Sequence, residues 1–444
     1  MLVPPRDVER REVERPDREY EHTTGDKLKS FVRELGPGLV TGAADDDPSG
    51  IATYSQAGAA FGYALLWTAV ITLPLMIAVQ VMCARIGIVS RQGLAAVLRE
   101  HYSRWLLWFA CLLLFVANTI NIAADLGGMA AAASMLSGAP AVWFVPAFTL
   151  LILALLVFGS YESMTRVFKW LTLVLFAYVV AAFVANPDWD TVLWETIRPR
   201  ILFTHDYILT FVAILGTTIS PYLFFWQAAQ NAEQEDHLEK KIEGRSRRNL
   251  RRELRASHRD VAAGMFISNL IMFFIVLTAG ATLHKAGQTN IDTAEQAAAA
   301  LRPLAGNFAY LLFTLGLVGT GMLAVPVLAG SAAYALAEAG AWSAGMSAKV
   351  HEARTFYSVI AIAMLIGMAL NFAHLNAVRL LFWTAVINGL LAPPLIVILL
   401  FVCNNPQVMG EHRNGWKLNS LGILAAVLMT FAGVALAFSW FRYS

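Results

Sequence analysis

The sequence predicts an all-α polytopic membrane protein built as two inverted five-helix repeats plus an eleventh helix, and three observations carry that reading. Of its 444 residues 57% are hydrophobic and 14% charged, and the mean hydropathy is positive, which leaves more apolar surface than a water-soluble fold can hide. Apolar stretches of roughly 20 residues, the length that crosses a bilayer as a helix, recur from Gly36 to Phe441. The first and sixth of these stretches are interrupted at matching positions by a polar residue followed by proline.

Residues 1–33 are dense in charge and proline and lack an apolar core, so they are expected to form a disordered cytoplasmic tail and not a signal peptide. Residues 34–441 form the expected transmembrane domain. Apolar windows punctuated by Gly, Pro and charge place spans near 37–61, 63–87, 106–136, 141–159, 166–186, 207–231, 261–283, 307–337, 354–373, 377–403 and 417–441. Repeat one then covers 37–186, repeat two 207–403, and the extra helix 417–441.

Lys and Arg gather in RQGLAAVLREHYSR, YESMTRVFK, EDHLEKKIEGRSRRNLRRELRASHRD, AKVHEAR and GEHRNGWK, all on the side of the N-terminal tail. Short loops rich in these residues stay in the cytoplasm. The expected placement is therefore an inner (plasma) membrane, N-terminus inside, C-terminus periplasmic or extracellular. The basic loop 235–260 reads as a topology anchor lying as a helix on the membrane surface. On the opposite face PDWDTVLWETIRPRILFTHD is a loop of mixed charge, and TNIDTAEQAAAALRPL predicts a short external amphipathic helix. A net charge of +2 gives no reason to expect nucleic acid as a partner. Cys83, Cys111 and Cys403 lie far apart in apolar surroundings and read as small buried side chains.

The interruptions are GAADDDPSGI, from Gly42 to Ile51, and GTTISP, from Gly216 to Pro221. Asp47-Pro48 and Ser220-Pro221 each have the order of an N-cap followed by a first helical residue, so a helix stops and another restarts inside the membrane. An unpaired carboxylate at mid-membrane costs on the order of 2.5–3.5 kcal/mol, which makes Asp45, Asp46, Asp47 and Asp125 functional candidates. All nine histidines fall in the tail, in loops or at span ends. Half-helices that end at a break present free carbonyls and negative dipole ends, and with Asp47 they attract a cation. Two broken helices meeting at the midplane are the mark of a transporter. There is no HExxH and no GxSxG within a span, so neither an enzyme nor a bound cofactor is expected.

The stretch GPGLVTGAADDDPSGIATYSQAGAAFGYALLW resembles the first-span signature of the NRAMP divalent-metal transporters, whose core reads D-P-G-N. The span-six proline falls where that family has M-P-H, and AADLGGMAAAASML resembles its A-T-D-L-A-E region. The resemblance implies a LeuT-like fold, alternating access, and import of divalent transition metals with protons. It implies Asp47 as a direct metal ligand and Thr217 as a backbone-carbonyl donor. The family's Gly-Asn pair is here Ser49 and Gly50, and its metal-touching Met is Ser220, so an amide and a thioether are missing. Carboxylate, carbonyl and water suit Mg²⁺, Mn²⁺ and Ca²⁺, whereas sulfur selects softer ions. Mg²⁺ keeps several waters, which suits a roomier site.

The expected metal site is thus Asp47, Thr217, Ser220 and Gly50, bordered by Asp45, Asp46, Ser49 and Asn388. Three choices stay open. Asp45 and Asp46 either accept from the ion's waters or face an aqueous vestibule, Asn388 is an oxygen ligand or a helix-packing amide, and Asp125 relays a proton or is structural. The family's Glu three residues after Asp125 is Gly128, and its two span-six histidines fall at Tyr222 and Gln227, neither of which titrates near neutral pH. These departures resemble the NRAMP-related magnesium transporters. The expectation is a secondary transporter importing Mg²⁺ and/or Mn²⁺, weakly or not proton-coupled. The alternatives are a proton-coupled Mn²⁺/Fe²⁺ symporter and a non-transporting metal sensor on the same fold, which is expected to carry a soluble output domain.

Overall fold

The computed structural model describes residues 36–159, 173–241, 250–373 and 375–443, in which every regular element is helical. The tail 1–33, the loop YESMTRVFK with Lys169, and the centre of the basic loop lie outside the described residues. The first predicted span is two helices, α1 (Pro37–Asp45) and α2 (Pro48–Phe61). There follow α3 (Trp67–Ser90), α4 (Leu94–His101), α5 (Arg104–Ser137), α6 (Ala141–Phe158), α7 (Phe176–Val184) and α8 (Trp189–Ile197). The second half comprises α9 (His205–Thr218), α10 (Pro221–Lys241), α11 (Leu250–Ala279), α12 (Ala294–Ala298), α13 (Ala309–Ala339), α14 (Arg354–Leu370), α15 (Ala377–Asn404) and α16 (Trp416–Tyr443). Among the described residues nine helices are long and apolar enough to cross a membrane. Together with the broken α1–α2 pair and the fifth span, seen from Leu173 onward, they fill the eleven expected places.

Local signals set the helix ends. Ser103 accepts the Leu106 N–H at the start of α5, which stops at Gly138 with φ 74°. Thr204 caps α9 by accepting from the Tyr207 N–H. The expected short helix after span seven is α12, started by a capping box of Thr293 and Gln296.

Three connections differ from the sequence reading. The loop RQGLAAVLREHYSR contains α4, and the mixed-charge loop contains α8, bent by 119° from Leu173–Val184. The flanks of 235–260 extend α10 to Lys241 and begin α11 at Leu250, so they continue two spanning helices and do not form a separate surface helix. Lys, Arg and Glu are good helix formers, and a helix that leaves the bilayer through such residues has no reason to stop.

Small residues bring the broken helices onto their neighbours. α11 packs against α1, α2 and α3, α13 runs along α5, and α9 runs along α15. A Cβ on Gly42 would stand 2.4 Å from the Gly264 backbone, and one on Gly216 would stand 2.0 Å from the Ala385 carbonyl. Both upstream half-helices therefore rest backbone to backbone on another helix, the close approach that small residues permit in a bilayer.

Candidate cation site at the paired helix breaks

Both breaks are built alike. α1 ends at Asp45, Asp46 leaves the helical region at φ −84° and ψ 52°, and Asp47 caps α2 with Pro48 first. α9 ends at Thr218, Ile219 leaves it at φ −122° and ψ 64°, and Ser220 precedes Pro221 at the start of α10. In each case two non-helical residues precede a proline, which has no N–H to leave unpaired at a restart. The carbonyls at the ends of α1 and α9 are freed for other partners.

Asp47 uses its two oxygens differently. Oδ1 accepts the Gly50 N–H at 2.6 Å, the cap that starts α2. Oδ2 takes the Asn121 amide of α5 at 3.4 Å and lies 3.5 Å from the Tyr222 hydroxyl of α10. That hydroxyl donates to the Ala44 carbonyl at 2.9 Å, tying α10 to the end of α1. The Ser268 hydroxyl of α11 sits between two carboxylates, 2.9 Å from Asp45 Oδ2 and 3.1 Å from Asp46 Oδ1. The Ser220 hydroxyl turns back to donate to the Thr217 carbonyl at 2.9 Å and reaches Asp45 at 3.5 Å.

Gly50 is the point where the two breaks touch. A Cβ there would be 3.0 Å from the Thr217 hydroxyl, 3.4 Å from Asp47 Oδ1 and 3.4 Å from the Tyr54 ring. Asp47, Thr217, Ser220, Gly50, Ser49, Asp45 and Asp46 are thus brought together, all buried where side chains are present. Asp125 is also fully buried, within electrostatic reach of Asp47, and its hydrogen-bonding neighbour is the Ser49 backbone N–H, in a contact looser than a well-formed hydrogen bond. Asn388 is buried on α15, yet no hydrogen bond among the described residues ties it to the cluster. Gln227 bridges Thr41 and Asn231, and Gly128 packs against Leu381 of α15, so the two positions sit in packing contacts.

The charge balance is one-sided. Four carboxylates are at most 2% exposed, and among the described residues no salt bridge reaches any of them. Nor do three or more His, Cys, Asp or Glu side chains among the described residues gather around one point. Asp45 ends a helix, Asp46 leaves the helical region and Asp47 is extended, and the oxygens near them are carboxylates together with the hydroxyls of Ser268, Ser220 and Tyr222. The Met129 sulfur, a soft donor in the neighbourhood, packs against Gly321 beside Pro48.

On the α2 side a cavity of about 550 Å³, lined by Ala52, Gln56, Thr210, Thr289 and Arg379, begins one turn beyond Ser49. On the α1 side, Asp260 of α11 accepts the N–H groups of Gly36 (2.9 Å), Gly38 (2.7 Å) and Leu39 (3.3 Å) and clamps the start of α1. Sequence reasoning missed Asp260, Ser268, Asn121 and Tyr54. A Ser or Asn in an apolar helix carries no local signal beyond its polarity.

The sequence profile of the natural resistance-associated macrophage protein-like (Nramp) family matches residues 38–439. The chain belongs to the Nramp family. Among curated relatives of this Nramp protein, the divalent metal cation transporter MntH of Erwinia tasmaniensis is 28% identical over 406 residues, covering 89% of this chain and 91% of the relative. Among solved structures, the Eremococcus coleocola manganese transporter superposes with a TM-score of 0.73 at 19% identity, covering 94% of this Nramp chain and 88% of the other. Mhp1, a nucleobase-cation-symport-1 family transporter, follows it at a TM-score of 0.54 and 13% identity, covering 91% and 92%. The fold is the LeuT-like one, and this Nramp chain is a multi-pass membrane protein.

Proposed function

We propose that this Nramp protein is a secondary transporter that imports divalent cations, Mg²⁺ and/or Mn²⁺, across the inner membrane by alternating access. The observation that carries the reading is the set of buried carboxylates that, among the described residues, have no salt bridge to a cationic side chain, at the point where two broken helices meet. Buried charge of one sign calls for a partner of the other, and a transported cation supplies it. Asp47 is the direct ligand. Thr217, Ser220 and the backbone at Gly50 complete the site, while Asp45, Asp46 and Ser49 accept from the ion's remaining waters. An oxygen-lined site favours hard ions that keep part of their hydration. The names of the MntH relative and of the Eremococcus manganese transporter support divalent-metal cargo. Residues 34–441 carry the transport function, residues 1–33 are a cytoplasmic tail, and the basic loops hold the N-terminus inside.

Asp125 favours a second reading. Its buried carboxylate near Asp47, with only a loose contact to the Ser49 N–H, is a candidate to carry a proton, as a proton-coupled Mn²⁺/Fe²⁺ symporter requires. One experiment addresses both readings: metal uptake into proteoliposomes that enclose a pH dye. Asp47→Asn preserves the helix cap, since Asn and Asp cap equally well, and removes the charge together with the second acceptor oxygen. Uptake is expected to vanish in this variant, and in wild type the lumen is expected to stay at constant pH. Uptake that survives the substitution removes Asp47 from the site, and acidification in step with metal entry establishes the symporter.

A further inference from the structure

The hydroxyl of Tyr54 has no role in the site as described so far. Tyr54 lies on α2 one turn after Gly50, so the two share a helix face. Its side chain is fully buried, and the hydrogen-bonding neighbour of its hydroxyl is the Thr217 hydroxyl, in a contact looser than a well-formed hydrogen bond. Asp45, Asp46 and Asp47 all act on it electrostatically. The ring edge borders the space that a side chain at position 50 would fill, the same space bordered by Asp47 Oδ1 and the Thr217 hydroxyl. A hydroxyl held only loosely in a buried site is costly unless something in the working cycle pairs with it.

We propose that the Tyr54 hydroxyl holds a water of the cation's hydration shell and thereby favours an ion that keeps its water, Mg²⁺ over Mn²⁺. The assignment rests on the reading of the breaks as a divalent-cation site. A phenol stays neutral at physiological pH, donates one proton and accepts on its oxygen. The neutral phenol oxygen has lone-pair capacity left to accept from a metal-bound water, whose protons are acidified by the ion. The absence of a side chain at Gly50 is what lets Tyr54, Thr217 and Asp47 border one point, since even a Cβ there would press on the Thr217 hydroxyl at 3.0 Å. Mg²⁺ sheds water reluctantly and gains most from such a contact, whereas Mn²⁺ exchanges its waters readily and gains less.

The test is titration calorimetry of Mg²⁺ and of Mn²⁺ into the purified full-length protein, with thermal unfolding as the control for folding. Tyr54→Phe removes the oxygen and keeps the ring. The expected result is a Kd for Mg²⁺ raised about tenfold, and a Kd for Mn²⁺ raised by less than about threefold. Gly50→Ala puts a methyl group at the point those three residues border and should act in the same direction, so the assignment stays testable if Tyr54→Phe fails to fold. Equal changes for the two ions, or none, in the folded variant overturn the role of Tyr54. A wild-type protein that binds neither ion overturns the cation reading itself, independently of Tyr54.

Discussion

Asp47 divides its two oxygens between folding and the proposed function. Oδ1 starts α2 by accepting from Gly50, and Oδ2 faces side chains from α5 and α10. The first task was legible in the sequence, because a capping residue before a proline is a local pattern; the same pattern exposed the break at Ser220. Ser268 was not legible. Its meaning comes from Asp45 and Asp46, more than 220 positions away, and a serine in an apolar helix has the same appearance whether it bonds its own backbone or a distant carboxylate. Ser220 itself was half legible: its place at the break was read correctly, but its hydroxyl turns back onto α9 and engages the Thr217 carbonyl. Replacing Ser268 by Ala leaves two buried carboxylates without their shared donor. This should lower the stability of the cation-free protein by about 1–3 kcal/mol, seen as a lower thermal midpoint, and enlarge the stabilisation that Mg²⁺ confers. An unchanged midpoint would mean that the pair is held by other groups.

The helix α1 is held at its start and in its middle by elements distant in sequence. At its start, Asp260 satisfies three backbone N–H groups that a helix N-terminus leaves free, and a negative charge there also complements the helix dipole. In its middle, Gly42 meets Gly264 backbone to backbone. The motif GPG at its start, noticed in the sequence only as a family resemblance, thereby gains a physical account: Gly38 has no room for a side chain against Val261 and Asp260. Asp260 could not be assigned this task from sequence, since it stands at the end of a strongly basic run that reads as a topology signal. Asp260→Ala should loosen α1 by about 0.5–2 kcal/mol, the usual value of a lost cap. Amide hydrogen exchange across residues 38–45 reads this directly. A clear rise confined to α1 is expected, Asp260→Asn should restore much of the protection, and unchanged exchange would show that the glycine contacts alone hold the helix.

The molecule as a whole pairs two broken helices, one from each half of the chain. Each repeat supplies one broken helix, and their ends meet at Gly50 and Thr217. The eleven-span plan was legible because long apolar runs and their breaks are written in the order of the chain. The exceptions, α4 and α8, are amphipathic helices hidden in what read as loops, where charge and aromatic residues mask the helical pattern. A cavity reaches to within a turn of the cluster along α2, and Asp260 caps the distant start of α1. The central claim is that oxygen-lined, carboxylate-rich breaks move a hard divalent cation. Uptake of Mg²⁺, Mn²⁺, Ca²⁺ and Fe²⁺ by proteoliposomes from a single preparation tests it most directly. The account predicts robust uptake of Mg²⁺ or Mn²⁺ in preference to Fe²⁺, whereas strong Fe²⁺ uptake with Mg²⁺ ignored would contradict it.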